Sequence, residues 1–142
     1  MKEQLIATKK GQLLELLENS RNYTIAVASA MPEEQYSFKP VDTIWDFREL
    51  MNHIGYGIHW WEDNFVKAKK TEWAPPAPIN AKDKIIVYID KAYDSLRDTI
   101  SKKNGDDAVM GFHATLDHIT HHRGQAVVYL RCKGVKPPDY AY

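Results

Sequence analysis

The chain of 142 residues is 44% hydrophobic and balances 19 basic against 19 acidic side chains, a composition typical of a single globular domain spanning residues 1–142. Its charges are scattered without a basic stripe and it has no long apolar run, so we expect no nucleic-acid partner, no signal peptide and no membrane span. Cys132 is the only cysteine, which excludes an intrachain disulfide and a thiolate metal cluster and favours a cytoplasmic location.

Helical periodicity in the first half of the chain predicts two long amphipathic helices and no strand. The first helix runs from about Lys2 to Ala30 and stops at Met31-Pro32, because proline cannot continue a helix. The second spans about Ile44 to Lys69, with Thr43 as its N-cap and Asp46 in its first turn. The apolar faces are formed by Leu5, Ile6, Leu13, Leu14, Leu16, Leu17 and Ile25 in the first helix, and by Phe47, Leu50, Met51, Ile54, Ile58, Trp61 and Phe65 in the second.

The second half of the chain predicts two further helices. The third spans about Ala81 to Lys103, with Asn80 as a possible N-cap. The fourth begins between Ala108 and Phe112 and ends at Lys133, where Gly134 suits the position after the helix. Four long amphipathic helices in one small domain predict an all-α four-helix bundle.

A proline-rich segment, Thr71 to Asn80, separates the second and third helices. About ten extended residues reach roughly 33–36 Å, which matches the length of a helix of twenty-odd residues. The segment can therefore carry the chain back along the bundle as a long crossover, so that the second and third helices run parallel.

The fourth helix carries a cluster of histidines, His118, His121 and His122. His118 and His122 are four residues apart and share one face with Gln125, whereas His121 falls toward the polar side. His53, at the border of the apolar face of the second helix, can supply a third imidazole. Three neutral imidazoles suit zinc, nickel, copper or iron and leave a coordination position open. On spacing alone, a metal site and an ordinary polar helix face both remain open.

Several neighbours of these histidines have two readings each. Gly57 can leave room beside His53, and Glu49 can orient an imidazole or simply face water. Trp60 can line a pocket or a dimer interface. Cys132 is too far along its helix to be a ligand, and we expect it to be buried.

Three further residues of the fourth helix stand close to the cluster. Arg123 and Gln125 either orient a substrate or close the bundle by hydrogen bonding. Tyr129 continues the stripe of His118 and His122, and we expect it to pack rather than to act as a catalytic acid.

Two segments resemble the DinB-like family. HITHHRGQAVVYLRCKGVKPPDY is similar to the family's last helix, in which a His-x-x-x-His-Arg-Gly-Gln element precedes Tyr-Leu-Arg and a Gly-x-x-Pro-Pro tail. IWDFRELMNHIGYGIHWWEDNF is similar to its second helix, in which one histidine follows the helix start by about ten residues. Members are four-helix bundles, often homodimers, whose three histidines bind zinc or nickel. The resemblance implies His53, His118 and His122 as metal ligands, with His121 the poorer candidate.

The resemblance also implies a reaction class. Characterised relatives activate a low-molecular-weight thiol, as in bacillithiol S-transferases and mycothiol-dependent maleylpyruvate isomerase, and others are described only as metal-dependent hydrolases. A divalent metal, a thiol and an electrophilic small-molecule substrate are therefore expected, in a homodimer with a role in detoxification or stress response. Metal-dependent hydrolysis and a non-catalytic bundle with a structural metal are the alternatives, and the sequence indicates no catalytic residue.

Overall fold

The computed structural model describes residues 1–140, without the side chain of Ile6. The described chain is all-helical and contains no strand, which confirms the predicted four-helix bundle. Our placement of Ile6 on an apolar face, and the last two residues of the predicted irregular tail, lie outside this description. The helices are α1, Lys2–Ala30; α2, Phe47–Trp61; α3, Lys82–Ser101; and α4, Asp106–Cys132, with a 3-10 turn at Glu33–Gln35 and a π-helical turn at Glu62–Val66.

The core is a continuous cluster of apolar side chains from all four helices. Fully buried Leu, Ile and Phe side chains each contribute roughly 1.5–3 kcal/mol through the hydrophobic effect. Two predicted apolar positions of α1, Leu5 and Leu16, are exposed instead, because the buried stripe of this helix runs through Leu13, Leu17 and Ser20. The largest fully buried side chains are Tyr36, Tyr93, Phe47, Phe112, Leu17, Met31, Leu50, Met51, Ile54, Ile58, Ile85 and Ile89.

The second helix starts later than predicted. Asp46, not Thr43, is its N-cap, and the Asp46 carboxylate accepts the backbone N–H of Glu49 at 2.8 Å. The backbone N–H of Phe47 donates to the carbonyl of Phe38 at 2.9 Å. This hydrogen bond belongs to a non-helical connection. The α-helix therefore cannot begin at Thr43.

Two other local predictions are also wrong. The third helix has Ala81 at its N-cap position without a side-chain cap. The carbonyl of Asn80, our predicted cap, instead accepts the Arg48 Nε–H at 2.9 Å. Cys132 is exposed rather than buried, because it is the last residue of α4 and points away from the face that buries Leu130.

The second helix leaves α-helical geometry at Glu62. The carboxylate of Glu62 is buried and accepts hydrogen bonds from the hydroxyls of Ser95 at 2.9 Å and Thr99 at 2.5 Å. A π-helical turn contains one more residue than an α-turn and so changes the angular register of the side chains. For this reason Phe65, which we predicted on the apolar face, is 45% exposed.

Helices α2 and α3 run parallel, as the crossover prediction requires. Arg48 at the start of α2 contacts Asn80 just before α3, and Glu62 beyond the end of α2 contacts Thr99 near the end of α3. Contacts that advance together along two helices define a parallel pair. Helices α1 and α3 are antiparallel, since Ser29 contacts Lys82 and Glu18 contacts Arg97.

Residues 67–81, which we call the strap, carry the chain back along α2. Thr71 is bonded to Asn64, and the backbone N–H of Ala74 donates to the Tyr56 hydroxyl at 2.9 Å. Near the start of α2, the Asn52 amide exchanges two hydrogen bonds with the backbone of Ile79, at 2.9 and 3.0 Å. The strap is therefore fixed to α2 at both ends. Among residues 1–140, no helix combines the length and apolarity needed to cross a bilayer.

Candidate metal centre

Three imidazoles meet between α2 and α4. The Nε2 atom of His53 lies 2.9 Å from that of His122 and 3.4 Å from that of His118, and the His118 and His122 Nε2 atoms are 3.1 Å apart. The three side chains form a group whose nitrogen atoms could hold a metal ion. The predicted residues therefore converge on one point, and His121, which is exposed, is not a member of the group.

Helix geometry explains why these residues meet. His118 and His122 are one turn apart on α4 and point to the same side. Helix α2 runs antiparallel to α4, so that Trp61 stacks on His118 at 5.3 Å while His53, two turns earlier, meets His122. Gly57 lies between them, and a Cβ atom there would be 2.7 Å from Cε1 of His118. The room that Gly57 leaves beside His53 is occupied by the His118 ring.

Burial keeps the imidazoles neutral. It is the main cause that lowers the pKa of His53 and of His118 to about 4, with a smaller contribution from the neighbouring imidazoles. The pKa of His122 is lowered for the same main reason. At neutral pH the three rings are uncharged and each has one nitrogen lone pair available for coordination.

A hydrogen bond fixes the tautomer of one ring. Nδ1 of His122 lies 2.9 Å from Oε1 of Gln125, so Nδ1–H donates to the amide and Nε2 keeps its lone pair. Nδ1 of His118 is buried without a hydrogen-bond partner. Within the described chain, the three Nε2 atoms lie within hydrogen-bond distance of one another.

This arrangement fits a metal ion. Metal–nitrogen bonds of about 2.0–2.1 Å with bond angles from about 90° to about 110° place two ligand nitrogens about 2.9–3.4 Å apart. The three observed separations, 2.9, 3.1 and 3.4 Å, fall in this range. A bound ion would also satisfy the lone pair that His122 presents at Nε2, and those of His53 and His118 in the same tautomer, which otherwise repel one another.

Aromatic side chains surround the triad. The ring centroid of Trp45 lies 4.5 Å from that of His53 and 5.9 Å from that of His122, and Trp73 of the strap lies 5.3 Å from His53. Trp45 is held in place because the Tyr129 hydroxyl donates to its carbonyl at 2.7 Å. These rings limit access of water to the imidazoles.

Two clefts flank Trp45 and reach the triad from different sides. The first, which we call the aromatic cleft, has a volume of about 260 Å³ and includes Trp45, His53 and Trp73 in its lining. The second, which we call the polar cleft, has a volume of about 330 Å³ and includes Trp45, His122 and Gln125. The triad is therefore open on two sides.

The structure also decides between the open readings of neighbouring residues. Arg123 is buried and closes the bundle by bonding to α1, whereas Gln125 bonds to His122. Glu49 is exposed and has no hydrogen bond to a histidine among the described residues; it lines the aromatic cleft. Trp45 and Trp73 were missed by sequence reasoning, since Trp45 is not on the predicted apolar face of the second helix and Trp73 lies in the proline-rich segment.

Fold and site together define a four-helix bundle with a parallel second and third helix and a candidate three-histidine metal site. The family model described as the DinB family matches residues 1–105, so the chain belongs to the DinB family. The matched range includes His53 and ends before the helix that carries His118 and His122.

Solved structures of similar fold cover nearly the whole chain. A DinB-like protein from Bacillus cereus ATCC 10987 matches 92% of this chain and 95% of its own, with a TM-score of 0.77 and 17% identity. A DinB-like protein (YjoA) from Bacillus subtilis matches 91% of this chain and 97% of its own, with a TM-score of 0.68 and 21% identity. At these identities the likeness shows the fold. A comparison with curated proteins gave no match.

Proposed function

We propose that this protein is a metal-dependent enzyme that transfers a low-molecular-weight thiol to an electrophilic small molecule. His53, His118 and His122 would hold a divalent ion, with zinc or nickel the best candidates for three imidazole ligands. When bound, such an ion supplies the Lewis acidity that keeps a thiol deprotonated at neutral pH. The observation that carries the proposal is the convergence of three Nε2 atoms within 3.4 Å at a point that two clefts reach.

The side chains around the triad would bind and orient the two reactants. The thiolate sulfur forms a bond to the electrophilic carbon, the bond to the leaving group breaks, and that group departs with the electron pair; the thiol proton goes to solvent. Gln125 holds His122 in the tautomer that leaves Nε2 free. Trp45 and Trp73 exclude water from the side of His53, which favours transfer to the thiol over hydrolysis of the electrophile.

Metal-dependent hydrolysis is the alternative chemistry. Hydrolysis needs a general base that accepts a proton from the attacking water. This base must lie within hydrogen-bond reach of the site. Among the described residues no carboxylate is hydrogen-bonded to an imidazole of the triad, and the nearby Glu49 is exposed at the rim of a cleft. This observation favours thiol transfer, in which no water has to be activated.

The test starts from protein stripped with a chelator and reloaded with zinc or nickel. Cysteine or dithiothreitol serves as the thiol and 1-chloro-2,4-dinitrobenzene as the electrophile, and chloride is the leaving group. We expect turnover that requires the metal and is lost in His53→Ala. His121→Ala is the matched control, because it removes an adjacent exposed imidazole, and it should keep full activity.

A structural role for the metal predicts a different result. The reloaded protein would then show no turnover above the His53→Ala background with any of several thiols, and its melting temperature would fall strongly on chelation. That outcome would replace the enzyme proposal with the non-catalytic one. A homodimer, a cytoplasmic location and a role in stress response remain predictions from the family resemblance and the composition.

A further inference from the structure

The aromatic cleft has a composition suited to one kind of ligand. Its walls are formed by the strap on one side and by α2 and α3 on the other, and its lining includes the rings of Trp45, Tyr56, Trp73 and Tyr88. Trp73 packs edge-on against Tyr56, with ring centroids 4.7 Å apart. Flat apolar walls of this kind are complementary to a planar aromatic ring, which gains offset or edge-to-face contacts in addition to its burial.

Two polar side chains of this cleft, Asn52 and Tyr56, are already bonded to the protein. The Asn52 amide is bonded to the backbone of Arg48 and Ile79, and the Tyr56 oxygen accepts the N–H of Ala74. The surface that the cleft presents to a ligand is mainly aromatic and apolar. A ligand must therefore be held mainly by its apolar surface.

Among the described residues, Glu49 is the one carboxylate side chain that lines the cleft. It is exposed, and no side-chain hydrogen bond to it is found among the described residues. An unpaired carboxylate at the rim repels anionic ligands and admits uncharged ones.

We propose that the aromatic cleft binds the electrophilic substrate and selects uncharged small molecules that carry an aromatic ring. The electrophilic carbon would lie at the His53 end, and the polar cleft on the far side of Trp45 would remain free for the second reactant. The assignment of the ligand as substrate rests on the proposed function. The binding selectivity rests on the cleft alone.

The position of Trp45 supports this division. It lines both clefts, contacts both His53 and His122, and is anchored by the Tyr129 hydroxyl. A fixed partition lets two ligands occupy the two sides at once. A hydrolase would need only one organic substrate, so two separate clefts agree better with a two-substrate transfer.

The test measures binding, not activity. Naphthalene-2-methanol, 2-naphthoate and cyclohexylmethanol are titrated into metal-free protein, and the indole N–H signals in two-dimensional NMR report where each binds. We expect the uncharged naphthyl compound to bind at least about tenfold more tightly than its carboxylate or the non-aromatic alcohol, with the largest changes at Trp45 and Trp73.

Three variants separate the parts of the proposal. Trp73→Ala should weaken binding of the naphthyl alcohol by about tenfold or more. Phe65→Ala is the matched control, because Phe65 is also 45% exposed but lines neither cleft, and it should bind as the wild type does. Glu49→Gln keeps the size of the side chain and should allow the carboxylate to bind as tightly as the alcohol.

Equal binding of alcohol and carboxylate by the wild type, or wild-type affinity in Trp73→Ala, would overturn the proposal. The result is independent of the metal, which is checked with His118→Ala, since His118 does not line the aromatic cleft. If this variant keeps ring selectivity while the wild type shows no metal-dependent turnover, the cleft stands and the thiol-transfer function falls. If turnover is found but the probes bind elsewhere, only the cleft assignment falls.

Discussion

Helix α4 carries polar side chains into two different regions of the bundle, and the two regions differ in how those side chains are satisfied. On one side His118 and His122 meet His53, and their nitrogen atoms face one another. On the other side Arg123 enters the interface with α1, where it donates to Thr24 at 3.1 Å. His122 and Arg123 are consecutive residues, so about 100° of helix rotation directs them to different neighbours.

The Arg123 region is closed by its own hydrogen bonds. The Tyr93 hydroxyl lies 2.8 Å from the hydroxyls of both Ser20 and Thr24, and the guanidinium stacks over Tyr23 at 4.7 Å. Donors and acceptors are matched within the chain, so this region stabilises the fold without any ligand. In the histidine triad three Nε2 atoms face one another and, among the described residues, make no hydrogen bond to any other group. Satisfied polar groups hold a bundle together, whereas convergent unsatisfied ones indicate where a ligand binds.

The strongest test of this contrast is removal of a ligand imidazole. His118→Ala should lower zinc affinity by more than about 100-fold, because the loss of groups that merely orient metal ligands already costs about 10–100-fold. The unfolding free energy of the metal-free protein should change little. Isothermal titration and urea denaturation measure the two quantities. His121→Ala is the control, and an equal loss of affinity in that variant would contradict the assignment.

A smaller effect is expected from the residue that orients one ring. Gln125→Ala removes the acceptor for Nδ1–H of His122 and should lower zinc affinity by about 10–100-fold. Gln125→Glu keeps an acceptor at this position and should retain most of the affinity. If both substitutions weaken zinc binding equally, Gln125 acts in some way other than through this hydrogen bond.

In the Arg123 region a substitution should lower stability and leave zinc affinity unchanged. Tyr93→Phe removes the hydroxyl that joins Ser20 and Thr24 and should lower the unfolding free energy by about 1–3 kcal/mol, because buried partners lose a hydrogen bond. Urea denaturation measures this loss, and zinc affinity should stay at the wild-type value. A Tyr93→Phe protein that binds zinc poorly would show that the two regions are coupled.

Gly57 offers a more graded test. In Gly57→Ala the new Cβ would lie 2.7 Å from the His118 ring and force it away from its rotamer, at a cost of about 0.5–1.5 kcal/mol. Zinc affinity should fall by up to about tenfold. Gly124→Ala is the matched control on α4, where an added Cβ meets nothing within 4 Å. That variant should gain up to about 1 kcal/mol of stability from helix propensity and keep its affinity.

A separate effect concerns pH. An unfolded chain protonates its histidines near pH 6.5, but burial lowers the pKa of folded His53 and His118 to about 4. The unfolded state therefore binds more protons between these values, and the metal-free protein should lose stability as the pH falls from 6.5 to 4. Denaturation across this window in chelator measures the slope. Replacing His53 and His118 by alanine should make the slope shallower, with the contributions of His122 and His59 left.

The spacing of residues along each helix predicted the features that depend on one helix alone. The four-residue separation of His118 and His122 placed both on one face, and the border position of His53 placed it toward the same interface. The left-handed Gly134, with φ +72°, follows α4 as predicted. These features depend on residues within one helix, and periodicity reports on them directly.

Features that depend on packing between distant segments could not be read from the sequence. Trp45 lies in a connection and Trp73 in the strap. The position of either residue in the sequence does not show which ring its side chain contacts. The start of α2 depended on a hydrogen bond from Phe47 to Phe38, and the exposure of Phe65 depended on the π-helical turn. The partner of Gln125, in contrast, could have been found, because residues three apart on a helix lie side by side.

The strap contributes a ring and several prolines to one wall of the aromatic cleft. It contributes little to the core of the bundle. Substitutions there alter which molecules fit without loosening the bundle. A protein built in this way can acquire new specificity by exchanging about fifteen consecutive residues, and engineered libraries confined to that stretch would explore many substrates at low risk of misfolding.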